Sequence, residues 1–148
     1  MGLSQGISEI VLPVKNMGAA ARFYRVVVGL APDETAPKAE GWAWFWAGEP
    51  GRVQRVALLD ETISHERVRS RVPHKGEPPR WGQIHFAFHI PRPSLETAVK
   101  RVQAHGVAVD GPLYFEWMQA SAYYFSDPDG NALEFWSPDP QGMSHSRT

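Results

Sequence analysis

The stretch that decides the fold is residues 9–29, EIVLPVKNMGAAARFYRVVVG. Its first eight residues alternate as a strand with one buried face does: Ile10, Leu12 and Val14 on one side, Glu9, Val11 and Pro13 on the other. A helical period follows. Asn16 stands at the cap, Ala20, Phe23, Tyr24 and Val27 form one stripe, and Gly29 is the stop. The same order returns in residues 85–106, HFAFHIPRPSLETAVKRVQAHG. Phe86, Phe88 and Ile90 alternate with His85, Ala87 and His89; Ser94 is the expected cap; Leu95, Ala98, Val99 and Val102 share a stripe that ends at Gly106. Glu9 falls on His85 at an offset of 76 residues.

Strand-like runs follow each helix. In the first half they are GWAWFWAG and RVQRVALLD; in the second, LYFEWMQ, SAYYFS and NALEFWS. The repeat therefore predicts an α+β fold of two βαβββ modules. Module one covers about 7–60 and module two about 83–137, within a single domain spanning 1–138. The charged connection over about 61–82 reads as a surface linker, and polar residues 139–148 read as a disordered tail.

Composition narrows the function. The chain has 148 residues, 43% hydrophobic and 21% charged, with net charge −1, an ordinary globular balance without the basic footprint that nucleic acid or an anionic membrane selects. With no cysteine, a metal here must use His or oxygen ligands. Neither a secretory leader nor an apolar run long enough to span a bilayer is read, so the expectation is a soluble cytoplasmic protein with a small-molecule partner.

Near the end, FSDPDGNALEFW (125–136) places a charge inside an apolar strand. DPDG reads as a turn, Leu133 and Phe135 face the core, and Glu134 shares the other face with Ala132 and Trp136. Glu9 and His85 stand in the same relation to their strands. If the modules join in one curved sheet, the three side chains converge. Two carboxylates there repel unless a cation sits between them, and carboxylate with imidazole suits a divalent metal (Ni, Co, Zn, Mn or Fe).

These stretches resemble the vicinal oxygen chelate superfamily, which includes glyoxalase I, the fosfomycin-resistance enzymes, extradiol dioxygenases and bleomycin-resistance proteins. The resemblance rests on EIVLPVKNMGAAARFYRVVVGL, HFAFHIPRPSLETAVKRVQAHGVAV and YYFSDPDGNALEFW, and covers residues 7 to about 137. It implies a cup of paired modules around a divalent metal, usually in a dimer, with Glu9, His85 and Glu134 at the ligand positions. Two departures follow. The enzymes usually carry His or Gln where this chain has Glu9, and the repeat offset puts Leu58 at the fourth ligand position of glyoxalase-type sites. Three protein ligands leave coordination positions open, as a catalytic site needs.

Other residues are placed by pattern. If Ser126 pairs with Asn131, Tyr123 lies opposite Glu134, either as a hydrogen-bond donor to substrate or as wall. Trp44, Trp117, Trp136 and His89 are candidate pocket residues; Trp42, Trp44 and Trp46 form a stripe that suits core, interface or an aromatic pocket. Arg67, Arg69, Arg71 and Arg80 either recognise an anion or are solvated linker charges.

The expected function is a metal-dependent lyase or isomerase of the glyoxalase I type, with Glu9 or Glu134 as the base. Alternatives are an Fe(II) ring-cleaving dioxygenase, against which Glu9 argues, opening of an epoxide antibiotic, and metal-free binding of a cationic aromatic ligand, which the six tryptophans suit.

Overall fold

The computed structural model describes residues 7–52, 54–64, 85–116 and 119–140. The chain separates into two compact units, Met1–Arg69 and Ser70–Thr148. Each holds a four-stranded mixed sheet.

In the first unit, β1 (Glu9–Val14) leads into α1 (Met17–Arg22), which continues as a π-helical turn over Phe23–Val28. Asn16 caps α1 as its residue type predicts: its Oδ1 accepts from the Ala19 N–H at 2.9 Å. Gly29 closes the helical segment in the left-handed conformation, φ 87°. β2 (Ala31–Pro32), β3 (Trp42–Trp46) and β4 (Arg55–Asp60) complete the sheet in the order β1-β4-β3-β2. β1 and β4 run parallel, with Glu9 beside Arg55 and Val11 beside Ala57. The core contains the expected stripe: Leu12, Val14, Ala20, Phe23, Tyr24, Val27, Phe45, Val56 and Leu58 are buried. Short helix α2 (Glu61–Ser64) opens the predicted linker, and the rest of that linker, with Arg67, Arg69, Arg71 and Arg80, lies outside the described residues.

The second unit repeats the plan. β5 (His85–His89), a 3-10 turn (Arg92–Ser94), α3 (Leu95–Ala104), β6 (Asp110–Phe115), β7 (Ala120–Ser126) and β8 (Ala132–Pro138) form a sheet of order β5-β8-β7-β6. Leu95, Val99 and Val102 of α3 are buried, as are Phe88, Phe125, Leu133 and Phe135 of the sheet. Ser94 does not cap α3 with its side chain, contrary to expectation, because the 3-10 turn continues through it into the helix with the backbone already in the helical region. Of the predicted tail, Asp139 is anchored: Tyr114 Oη donates to its Oδ2 at 2.9 Å, and its N–H donates to the Gln119 carbonyl at 2.8 Å. Residues 141–148 lie outside the described residues.

Two registers differ from the sequence reading. Ser126 pairs with Ala132, not Asn131, so the β7–β8 loop has one residue more than DPDG. Asp127 is the cause. Its Oδ1 accepts from the N–H groups of Asp129 (2.9 Å) and Asn131 (2.8 Å), and its Oδ2 accepts from Asn131 Nδ2 (2.7 Å). That clamp takes Asn131 out of the ladder and into the loop. A one-residue slip exchanges the faces of the partner strand. Tyr124 therefore lies opposite Glu134, whereas Tyr123 pairs with Phe135 on the core face.

The second correction concerns the repeat. Glu134 is beside Ala87 in the parallel β5–β8 ladder, and Ala87 corresponds to Val11, whose ladder partner is Ala57. The counterpart of Glu134 is thus Ala57, and Leu58 points into the core. The path from the first to the last strand is one residue longer in the second unit, so a constant offset fails at that strand.

Candidate functional site

In the second unit, strand alternation aims His85, Ala87 and His89 of β5, Ala132, Glu134 and Trp136 of β8, and Ala120, Ala122 and Tyr124 of β7 to one face of the sheet. His85 Nε2 lies 3.3 Å from Glu134 Oε2. The Tyr124 hydroxyl donates to the Glu134 carboxylate, and the Tyr124 and His85 rings meet edge to face with centroids 5.9 Å apart. Glu134 is only 6% exposed, so its charge has few water contacts and depends on these neighbours. Burial raises the Tyr124 pKa well above the ordinary phenol value, and the charge of Glu134 and the hydrogen bond to it add to the effect. Tyr124 is consequently a neutral donor throughout the physiological range.

His89 is exposed and its ring centroid is 5.5 Å from that of Trp136. The Trp136 Nε1 is buried without a hydrogen-bond partner among the described residues. Trp117 lies outside the described residues. Tyr123 takes no place beside Glu134. The residue that does, Tyr124, was missed because the loop was read one residue short; Asn131, a loop-former beside the glycine, was the available signal.

In the first unit the equivalent face carries Glu9, Arg55, Ala57, Trp42, Trp44 and Trp46. Trp44 donates from Nε1 to Glu9 Oε1 at 2.8 Å. Trp42 and Trp44 stack with centroids 5.1 Å apart and planes 8° from parallel. The Arg55 guanidinium sits 4.7 Å over the Trp46 ring and pairs through Nε with Asp33 Oδ2 at 2.9 Å. Arg55 and Asp33 were not singled out from the sequence, since nothing local links residues on β4 and after β2. With Ala57 in the position matching Glu134, Glu9 is this face's one carboxylate at a predicted ligand position.

Among the described residues no group of three or more His, Cys, Asp or Glu gathers to hold a metal; His85 and Glu134 come together in the second unit, and Glu9 lies in the first. The donor types nevertheless fit a divalent cation. Imidazole and carboxylate atoms approach each other as ligands of one ion do, and the carboxylate is almost fully removed from water.

Comparison with solved structures gives the same fold. An integron cassette protein from the mobile metagenome of the Halifax Harbour sewage outfall is 30% identical, with TM-score 0.65, 90% of this chain covered and 99% of that one. A lactoylglutathione lyase from Agrobacterium tumefaciens is 26% identical, with TM-score 0.64 and coverage of 92% and 96%. An antibiotic-binding protein from Streptomyces sp. CB03234 is 24% identical, with TM-score 0.63 and coverage of 94% and 100%, a likeness of fold. No curated protein matches the chain. The description "Glyoxalase/Bleomycin resistance protein/Dioxygenase superfamily" matches residues 6–135, and both sheets have the strand order that their common repeat requires. The chain belongs to the glyoxalase/bleomycin resistance protein/dioxygenase superfamily.

Proposed function

We propose that this protein is a divalent-metal-dependent lyase or isomerase of the glyoxalase type, acting on a small substrate with a carbonyl or neighbouring oxygens. The observation that carries the reading is the approach of His85 Nε2 to Glu134 Oε2, 3.3 Å, around a buried carboxylate. His85 and Glu134 would hold the ion, with Glu9 the further ligand position that the family resemblance implies. When bound, it supplies charge neutralisation for the carboxylates and Lewis acidity toward a substrate oxygen.

The chain's own groups supply the proton chemistry. Glu9 is exposed and accepts a hydrogen bond on one oxygen from Trp44, which leaves lone pairs free to take a proton from a carbon next to the carbonyl. Tyr124 Oη, held neutral, donates its one proton to the Glu134 carboxylate and holds it in one orientation. The protein is read as acting in the cytoplasm as a homodimer, and no helix among the described residues is long and apolar enough to cross a membrane.

A second reading, metal-free binding of a flat ligand, draws support from the stacked, half-buried Trp42 and Trp44 and from the antibiotic-binding neighbour. One experiment separates the two. Metal content of the untagged protein is measured, followed by calorimetric titration with Mn, Co, Ni, Zn and Fe(II). A stoichiometric site lost in Glu134→Ala and His85→Ala supports the lyase or isomerase; a wild-type protein that ignores all five ions overturns it.

A further inference from the structure

Arg55 is held from several sides and still leaves most of its hydrogen-bonding capacity unused. Its backbone N–H donates to the Ser8 carbonyl at 3.0 Å, and its guanidinium lies over the ring of Trp46, its ladder partner on β3. Nε forms an ion pair with Asp33 Oδ2 at 2.9 Å, and the Asp33 side chain is wholly excluded from solvent. Asp33 is fixed in turn, since its Oδ1 accepts from the Thr35 N–H at 2.9 Å and from the Thr35 hydroxyl at 2.6 Å. A guanidinium presents five N–H donors in one plane. Only Nε is engaged here, and the two Nη groups have no partner among the described residues. Arg55 lines a cavity of about 220 Å³ together with Ser8, Glu9, Trp46, Gly51 and Arg52, all of them in the first unit. At about 30 Å³ for each water, that volume holds about seven waters, or one short organic molecule.

The charges around this cavity are mixed, and the mixture selects the ligand. Arg52 adds a second guanidinium, exposed and paired with Glu49 Oε2 at 2.9 Å. Glu9 is beside Arg55 in the β1–β4 ladder; it accepts from Trp44 on Oε1, and Oε2 is left as an acceptor. A bare anion gains from Arg55 and loses against Glu9. A molecule that offers a carboxylate to the one and a hydrogen-bond donor to the other gains from both. We propose that this cavity binds a short carboxylic acid with a hydrogen-bond donor on the neighbouring carbon, a 2-hydroxy or 2-amino acid. Its carboxylate takes the Nη groups of Arg55, and its donor takes Glu9 Oε2. Asp33 and Trp46 are positioning groups: they hold the guanidinium plane in place before the ligand arrives, which removes part of the ordering cost of binding. Every residue involved belongs to the first unit, so the proposal stands apart from the metal-dependent reading.

The test is titration of the full chain with lactate, alanine, propionate and inorganic phosphate, followed by calorimetry and by the indole N–H resonances. A chelator is present throughout, so the outcome does not depend on whether the protein uses a metal. Wild type is compared with Arg55→Lys, which keeps a charge beside Asp33 but loses the planar fork, and with Arg52→Ala and Glu9→Ala; thermal melts accompany each. The expected result is that lactate or alanine binds wild type about tenfold more tightly than propionate, and that this binding weakens about tenfold in Arg55→Lys. Arg52→Ala weakens it less, and Glu9→Ala abolishes the preference over propionate. Whichever of lactate and alanine binds more tightly identifies the donor as hydroxyl or ammonium. No binding of either overturns the proposal, as does propionate binding equally well, phosphate binding more tightly than both, or unchanged affinity in a folded Arg55→Lys. If Arg55→Lys does not fold, Glu9→Ala decides: a lost preference supports the proposal and a retained one overturns it.

Discussion

Tyr124 and Glu134 are direct partners across the antiparallel β7–β8 ladder, and the tyrosine hydroxyl donates to the buried carboxylate. This pair, with His85 at 3.3 Å from the same carboxylate, concentrates the ionisable chemistry of the second unit on two neighbouring strands and the parallel strand beside them.

The raised pKa of Tyr124 makes a prediction about alkaline stability. A group whose folded pKa lies above its unfolded value contributes stability that is whole below the unfolded pKa and is lost as pH rises through the folded one. Above about pH 10 the unfolded tyrosine ionises before the folded one, so this residue lowers the unfolding free energy as pH rises, by at most about 1.4 kcal/mol per pH unit and by less to the extent that solvent reaches the hydroxyl. Urea denaturation at pH 9, 10 and 11 in wild type and Tyr124→Phe should show a shallower decline in the variant. Equal slopes would mean that Tyr124 titrates normally.

Removing the carboxylate should reverse part of the tyrosine's shift. In Glu134→Ala the Tyr124 pKa falls, because the charge and the acceptor that favour the neutral phenol are gone, although burial still acts. Carbon-13 tyrosine resonances followed through the alkaline range will check this. The same variant should lose divalent-metal affinity by more than the ~10–100-fold that orienting neighbours are worth.

Ala57 and Leu58 are adjacent, but a glutamate has different effects at the two. Ala57 is as fully buried as Leu58 but lies on the face of Glu9, at the position matching Glu134, so Ala57→Glu should tighten divalent-metal binding by about tenfold, ~1.4 kcal/mol, while lowering stability through burial of the carboxylate. Leu58 is fully buried, and Leu58→Glu should destabilise the first unit by more than about 4 kcal/mol. Calorimetric metal titration and thermal melts of both variants decide the matter. A folded Leu58→Glu with improved metal binding would reverse the assigned register.

The Asp127 clamp sets the loop length, and so the partner of Glu134. Asp127→Ala removes three accepted hydrogen bonds from a buried carboxylate and should cost about 2–3 kcal/mol. Asp127→Asn keeps an oxygen for the two backbone donors and loses the contact with Asn131 Nδ2, so its cost should be smaller. Chemical denaturation of the two variants gives the order; equal costs would show that the carboxylate's charge matters more than its geometry.

Which side of each strand a residue takes was legible without coordinates. Ile10, Leu12 and Val14, or Phe86 and Phe88, declare a face by alternation alone, and the stripe through Ala20, Phe23, Tyr24 and Val27 does the same for a helix. Glu9, His85 and Glu134 could therefore be assigned to the faces opposite these cores, and the repeat supplied the two βαβββ modules, whereas the order of strands in each sheet came from the structure. These patterns are local, with periods of two and 3.6 residues, and need no knowledge of what packs against them. What meets what across the strands was decided elsewhere. The carboxylate of Asp127 lengthened a loop by one residue and replaced Tyr123 by Tyr124 beside Glu134. An extra residue in the second unit replaced Leu58 by Ala57 as its counterpart, and the indole N–H of Trp44 found Glu9 across three strands. Register is set by hydrogen bonds between segments distant in the chain, and a single residue of slip exchanges every partner while leaving each strand's own alternation unchanged.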